Sequence, residues 1–341
     1  MPCGRITGFD ICKVCRTELK EEKLTEALDE NGRDPALKRR TEILHTLLLV
    51  LTAAIWGAAF VAQSVGAQYV GAFTFLTARS WIGFIFLIPL ILIREKPGKR
   101  NNTEERKVTK MQKKTLIIGG AVCGIFLFSA SAAQQIGIAT TSTAKSGFIT
   151  AMYVVLVPII SIFLGHRPDG KIWCCVILGV IGLYLLCVTG SLSLSPGDSL
   201  TLLCALLFSF QILAVTYYTS RLDAVKLAAV EFLTEAILST AVMLIFEKPV
   251  WSDIVLAGPA ILYAGIMSSG VAYTLQIIAQ RGLSPTVASL AMCLESVFSA
   301  IAGWIVLGQT LTVREFAGCL LMFAAIIISQ LPGRPKTIAV N

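Results

Sequence analysis

Residues 146–165, SGFITAMYVVLVPIISIFLG, and residues 289–308, SLAMCLESVFSAIAGWIVLG, decide the fold. Each is an almost wholly apolar run that closes on Leu-Gly. A hydrocarbon layer about 30 Å thick needs about 20 apolar residues of α-helix to cross it, so each run reads as a membrane span. The two runs also align on each other without a gap. Shifting the chain so that Thr143 falls on Thr286 brings Ser146, Val154, Ile162, Leu164, Gly165 and Leu178 onto Ser289, Val297, Ile305, Leu307, Gly308 and Leu321. Lys171 then falls on Arg314. Identities at Leu and Val come cheaply between apolar helices, but a Leu-Gly pair followed at fixed distance by one basic residue does not. At a slightly smaller shift, Cys123-Gly124-Ile125 and Gln135 match Ala264-Gly265-Ile266 and Gln276.

The rest of the chain between Leu44 and Leu331 follows the same plan. Ten spans are expected, at about 44–66, 70–93, 116–138, 146–164, 172–189, 199–219, 227–246, 255–279, 285–307 and 315–331. Breakers separate them at Pro97-Gly98, Arg167-Pro168-Asp169-Gly170, Ser195-Pro196-Gly197-Asp198 and Glu247-Lys248-Pro249. Lipid offers no hydrogen bonds to the backbone, so the spans are helices rather than open strands. The chain is 55% hydrophobic and 15% charged, against about 25% charged in globular proteins. The expected fold is thus an all-α integral membrane protein of ten transmembrane helices, arranged as two five-helix repeats. Five is odd, so the second repeat enters the membrane inverted relative to the first. Residues 1–43 are expected to be a disordered cytoplasmic tail, 44–190 the first repeat (helices 1–5), 198–331 the second (helices 6–10) and 332–341 a cytoplasmic tail.

Lysine and arginine set the orientation. Lys38, Arg39 and Arg40 precede the first span, and Arg94, Lys96, Lys99, Arg100, Arg106, Lys107, Lys110, Lys113 and Lys114 fill the second loop. Arg167, Lys171, Arg221, Lys226, Arg281, Arg334 and Lys336 fall on that same side, which leaves Lys145, Lys248 and Arg314 for the other. Both termini are therefore expected in the cytoplasm, in the plasma (inner) membrane of a bacterium. Basic loops account for the net charge of +8, and no nucleic-acid partner is expected. Of the ten cysteines, Cys123, Cys174, Cys175, Cys187, Cys204, Cys293 and Cys319 sit in apolar runs as small hydrophobes. Cys12-Lys-Val-Cys15, with Cys3 upstream, falls short of the four ligands of a structural zinc site. No metal and no cofactor are expected. No nucleophile triad or phosphate-binding loop marks an enzyme or an ATPase. The first 43 residues are polar and the first apolar run is long enough to span, so no cleavable leader is expected.

Several short motifs carry a family resemblance. The first span holds Ala53-Ala54-Ile55-Trp56-Gly57-Ala58-Ala59-Phe60, and the second holds Arg79. The fourth reads Ala144-Lys145-Ser146-Gly147-Phe148-Ile149-Thr150 and then Val157-Pro158; the ninth reads Leu294-Glu295-Ser296-Val297-Phe298 and then Leu307-Gly308-Gln309. Over residues 44–331 the chain resembles the drug/metabolite transporter superfamily of the EamA type, with two EamA repeats. Ser296 and Gln309 depart from the Glu-Pro and Leu-Gly-Glu common in that family, so the ninth helix lacks a proline kink at Ser296. The resemblance implies a secondary active transporter, an exporter of small organic metabolites, amino acids or drugs, working by alternating access around a central cavity. The alternative is a non-transporting membrane sensor or assembly partner, although the longest loop offers such a partner only about 20 residues.

Polar groups inside spans are the candidate site, because a charge at a helix centre costs about 2.5–3.5 kcal/mol unless it faces protein or water. Arg79 is a candidate anion contact, or else a structural ion pair with a glutamate of the seventh helix. Glu231 and Glu235 lie one turn apart on that helix and, with Glu295, are candidates for proton or ion coupling. Glu295 also suits a substrate amine. Lys145 stands at the outer mouth of the fourth helix, where it meets an anionic substrate or snorkels to the interface. Trp56, Gln63, Gln134, Gln135, Tyr153, Tyr273 and Gln276 complete the expected cavity wall, with helix-to-helix hydrogen bonding as the alternative use of the amides. Pro158 and Pro285 are read as shaping helices. Gly120-Ala-Val-Cys-Gly124 is a GxxxG suited to close helix contact. The expected partners are a small-molecule substrate, the lipid bilayer and a coupling proton or ion.

Overall fold

A computed structural model describes residues 35–94, 103–140, 143–165, 168–187, 196–281, 283–307 and 312–331. The chain divides into two compact units, Met1–Leu44 and His45–Asn341. In the first, the described residues are the opening turns of a helix. In the second, every regular element among the described residues is helical. In order they are α1 (Pro35–Gly66), α2 (Ala72–Arg94), α3 (Thr103–Ile138), α4 (Thr143–Thr150), α5 (Tyr153–Phe163), α6 (Gly170–Cys187), α7 (Pro196–Thr219), α8 (Ala224–Phe246), α9 (Trp251–Leu256) and α10 (Gly258–Leu262). A π-helical stretch, Tyr263–Ala272, leads into α11 (Tyr273–Gln280), followed by α12 (Pro285–Met292), α13 (Glu295–Leu307) and α14 (Val313–Gln330).

Eight segments among the described residues are long and apolar enough to cross a membrane, rather than the ten expected. The expected fifth span yields a shorter apolar helix, Gly170–Leu185, and the tenth corresponds to α14. Helix ends follow breakers rather than the end of apolarity. α1 starts at Pro35, where a proline costs no hydrogen bond, so residues 35–43 of the expected tail are helical. No Gly or Pro intervenes between Thr103 and the first apolar residues of α3, and the helix runs through what reads as loop. Residues 1–34, which carry Cys3, Cys12 and Cys15, and residues 332–341 lie outside the described residues, as do His166 and Gln309.

The polarity of the fold is that of a protein in lipid. Phe163, Leu244, Ile245, Phe246 and Ile305 are exposed, whereas Arg79, Gln211, Glu231, Glu235 and Gln276 are buried. In water such an apolar exterior would be an aggregation surface; against acyl chains it is the solvated face.

Spans matched by the repeat pack on each other. α2 packs on α8 and α6 on α14, and the fourth and ninth spans pack crosswise, α5 on α12 and α4 on α13. α3 lies against both α7 and α8. Small residues allow the closest approaches. A Cβ on Gly120 would stand 2.5 Å from Val230 Cβ, and one on Gly124 2.6 Å from Glu231 O and 2.5 Å from Thr234 Cβ. The GxxxG of α3 is therefore the seat of α8, and with it of Glu231. The basic residues matched by the repeat do equivalent work. Lys171, at the start of α6, donates to the carbonyls of Ser329 and Leu331 at the end of α14. Arg314, at the start of α14, lies over the Tyr184 ring of α6. Each cation meets the late part of its partner helix, where carbonyls are left without partners. The N-terminus of α2 is answered from the other half: the amides of Phe73 and Thr74 donate to Glu247 at 2.9 and 2.7 Å.

Because Gly124 touches α8 backbone, Gly124→Leu should force α3 away from α8. The expected cost is about 1–3 kcal/mol, seen as a lower midpoint of thermal unfolding in detergent, with Gly170→Leu, where a Cβ meets nothing within 4 Å, as the neutral comparison.

Candidate functional site

Three departures from α-helix meet at one place. The fourth expected span breaks at Ala151-Met152, between α4 and α5, and the ninth at Cys293-Leu294, between α12 and α13. The breaks fall within one residue of repeat-equivalent positions, since the shift that places Thr143 on Thr286 places Ala151 on Leu294. Both are tightened turns, with Met152 N–H donating to Ile149 O at 3.1 Å and Ser296 N–H to Cys293 O at 3.3 Å. The ninth span therefore breaks without the proline that Ser296 replaces; the Ser296 hydroxyl instead donates to Gly147 O, at 3.1 Å, in α4. The third departure is the π stretch before Tyr273. Irregular backbone is tolerated at membrane depth where it is buried in protein or lines a cavity, and π segments recur at functional sites.

A cavity lies at these departures, its empty space about 480 Å³ with the open solvent at its mouth included. Thr150 and Tyr153 flank the first break and line it; Met292 and Glu295 flank the second and line it; Ser268 and Tyr273 come from the π stretch and its exit. α1 contributes Trp56, Phe60 and Gln63, and α7 contributes Phe208, Gln211 and Ile212. The i, i+4 pairs Trp56/Phe60 and Phe208/Ile212 are thus presented by the first helix of each half. Arg79 of α2, Gln134 of α3 and Gln276 of α11 complete the polar wall.

The polar groups form two arrangements. In the first, Arg79 Nη2 donates to Ser131 Oγ at 2.9 Å and sits 3.4 Å from Glu235 Oε1. Both charged side chains are buried. Arg79 Nε and Glu235 Oε2 have no partner, so the pair is loosely satisfied. In the second, Gln211 Nε2 donates to Glu231 Oε1 at 2.8 Å and Gln276 Nε2 donates to Gln211 Oε1 at 3.3 Å. Apart from these, Tyr153 OH donates to Glu295 Oε1 at 3.1 Å, and Gln134 Nε2 donates to Thr150 Oγ1 at 3.3 Å. Among the described residues Glu231 and Glu295 have no ion-pair partner. The aromatic part of the wall is fixed by the Trp56–Tyr273 contact, with centroids 4.7 Å apart, and by Phe232 against Tyr273 at 5.3 Å. Trp56 Nε1 is buried without a partner.

The structure thus brings Trp56, Gln63, Arg79, Gln134, Tyr153, Tyr273, Gln276 and Glu295 to one cavity. Gln135 is buried with Nε2 unpartnered but lies off the wall, its neighbour Gln134 taking the lining position. Glu231 and Glu235 stand behind the wall, each joined to it by one side chain, Gln211 and Arg79. The Lys145 side chain lies outside the described residues. Sequence reasoning missed Gln211, although an amide in a span was the same signal that marked Gln276. It also missed Phe60, Phe208, Ile212 and Met292, which carry no signal, since an apolar residue facing a cavity reads like one facing lipid.

A multi-pass helical protein that holds a small cavity of mixed polar and apolar lining between two related halves has the architecture of a small-solute transporter. Sequence comparison agrees: the chain belongs to the EamA-like transporter family, which matches residues 44–188 and again 195–331. It is similar to a protein of Archaeoglobus fulgidus described as an uncharacterized transporter, 28% identical over 308 residues, covering 89% of this chain and 90% of that one. It is also similar to the uncharacterized transporter YoaV of Bacillus subtilis, 21% identical and covering 81% and 92% of the two chains. A protein of known crystal structure, 19% identical, superposes with a TM-score of 0.66 over 84% of this chain and 96% of its own, and shares the fold. The protein is an integral, multi-pass membrane transporter.

Removing one member of a buried ion pair strands the other. Arg79→Met should destabilise the folded protein by about 3–5 kcal/mol, and Arg79→Met combined with Glu235→Leu should recover most of the loss. Thermal unfolding of the three proteins in one detergent checks this.

Proposed function

We propose that this chain is a secondary active exporter of small organic solutes carrying an amine, amino acids among them, and that the cavity is its substrate site. The observation that carries the reading is a wall built from both family-matched segments, in which Glu295 has no cationic partner. A buried carboxylate of this kind is costly unless a ligand or a proton answers it. Glu295 suits a substrate ammonium, and Arg79 suits a carboxylate or another acceptor on the same molecule. Trp56, Tyr273, Phe60 and Phe208 suit its apolar body, with the aromatic faces adding cation–π attraction.

On this reading the chain crosses the membrane ten times, as two inverted five-helix halves with both termini in the cytoplasm. Inverted repeats with broken helices at their interface are the architecture of alternating access. The two breaks and the π stretch supply places where one half can move against the other. Ammonium and proton compete for the same carboxylates, so inward proton movement across a plasma membrane drives solute outward.

A thermal-shift screen of the purified protein against amino acids and organic amines tests the substrate class. A ligand at a hundred times its Kd should stabilise the protein by about 2.7 kcal/mol. Glu295→Gln keeps an oxygen for the Tyr153 hydroxyl, so it should melt near wild type. It should also lose the shift with the binder found and reduce flux of that binder in proteoliposomes at least tenfold. Wild-type flux in Glu295→Gln would remove Glu295 from the mechanism.

A further inference from the structure

Glu231 stands behind the cavity wall and meets it through Gln211. It is fully buried, and so is Gln211; Gln276 is nearly so. The three form one chain of hydrogen bonds across three helices, from α8 through α7 to α11. Its two ends are open: Glu231 Oε2 and Gln276 Oε1 are both buried and have no partner.

The direction of this chain follows from the chemistry of the carboxylate. An ionised carboxylate only accepts hydrogen bonds. Gln211 must therefore turn its NH2 toward Glu231, which leaves its oxygen facing Gln276. Gln276 must answer with its own NH2, and its free group is then the acceptor oxygen. A proton on Glu231 reverses each link. On Oε2 the new O–H would be a buried donor without a partner, whereas on Oε1 it donates to the oxygen of a flipped Gln211. Gln211 then turns its NH2 to the oxygen of Gln276, and the free group of Gln276 becomes a donor.

We infer that Gln211 is a positioning residue that passes the protonation state of Glu231 to Gln276, so that a proton bound behind the wall changes the hydrogen-bonding character of the wall itself. The inference rests on the cavity being the substrate site, and deepens it. An amine-bearing solute is held while Glu231 is ionised, because Gln276 then offers an acceptor. It is released when a proton arrives, because Gln276 then offers a donor. Proton and solute each weaken the other's binding, as reciprocal linkage requires, without competing for one atom. Among the described residues, the titratable groups that face Glu231 are Glu235 on its own helix, Cys123 from α3 and Tyr273 from α11. Arg79 is engaged by Glu235, so the neutral amide of Gln211 is the polar contact left to Glu231.

The test uses the full chain, labelled with 15N-glutamine, in detergent, with protons as the only added ligand. The side-chain NH2 resonance of Gln276 is assigned by its loss in Gln276→Leu. The carboxylic-acid band of Glu231 in infrared difference spectra is assigned by its loss in Glu231→Gln. In the wild type the Gln276 resonance should shift with pH over the same range in which the Glu231 band appears. In Gln211→Leu and in Gln211→Met, both checked for native melting, the Glu231 band should still titrate while the Gln276 shift is lost. A Gln276 resonance indifferent to pH in the wild type, or one that still follows pH in both Gln211 variants, overturns the proposal. No solute enters the measurement, so failure of the relay and failure of the substrate-site reading are separately visible.

Discussion

A charge held inside a bilayer has to be answered by another charge, by hydrogen bonds or by a ligand, and Arg79, Glu231, Glu235 and Glu295, buried well within their spans, impose that condition on this protein. Arg79 and Glu235 answer each other, helped by Ser131. Glu231 is answered in part by Gln211, and Glu295 in part by Tyr153. The rest of the interior follows from seating these groups. α3 presents Gly120 and Gly124 so that the segment of α8 carrying Glu231 can come close. Ser131 sits further along that same helix to receive Arg79. Trp56, Tyr273 and Phe232 pack on one another beside the polar wall.

The backbone obeys a second form of the same rule. Lipid cannot satisfy a free carbonyl or amide, so helix irregularity is confined to places where protein supplies the partner. The breaks between α4 and α5 and between α12 and α13 remain hydrogen-bonded through short turns, and the Ser296 hydroxyl ties the second break to the first. These two breaks and the π stretch all border the cavity. The irregular backbone at these three places lies where the candidate site's side chains are. A rigid α-helix would place Tyr153 and Glu295 one fixed turn from their neighbours; a break lets each half of the span take its own direction.

Much of this was legible in the sequence, and the parts that were not share a cause. Apolar run length and the Leu-Gly register of residues 146–165 and 289–308 were enough for membrane spans in two related halves, because hydrocarbon thickness leaves little choice. Arg79, Glu295, Gln276 and Trp56 stood out because a polar or amphipathic group in an apolar span needs a reason. Gln211 stood out by the same test and was passed over. The apolar wall residues Phe60, Ile212 and Met292 were invisible, since one sequence cannot separate an apolar side chain against a cavity from one against lipid. α1 and α3 begin at Pro35 and Thr103, ahead of the spans read from apolarity, because apolarity marks the edge of the bilayer, whereas helices stop at Gly, Pro and caps. The π stretch has no sequence signal: its Gly265 and Gly270 are as compatible with an α-helix under close packing.

On the proposed function, one cavity between the halves opens to either side of the membrane in turn. Ser268, on the cavity wall, offers the most direct measurement of it. A single cysteine at this position, in a protein whose native cysteines are replaced, is challenged with a membrane-impermeant thiol reagent from each face of oriented proteoliposomes. Alternating access predicts labelling from both faces, with a bound solute slowing both reactions. Labelling from one face only, under every condition of solute and pH, would contradict it.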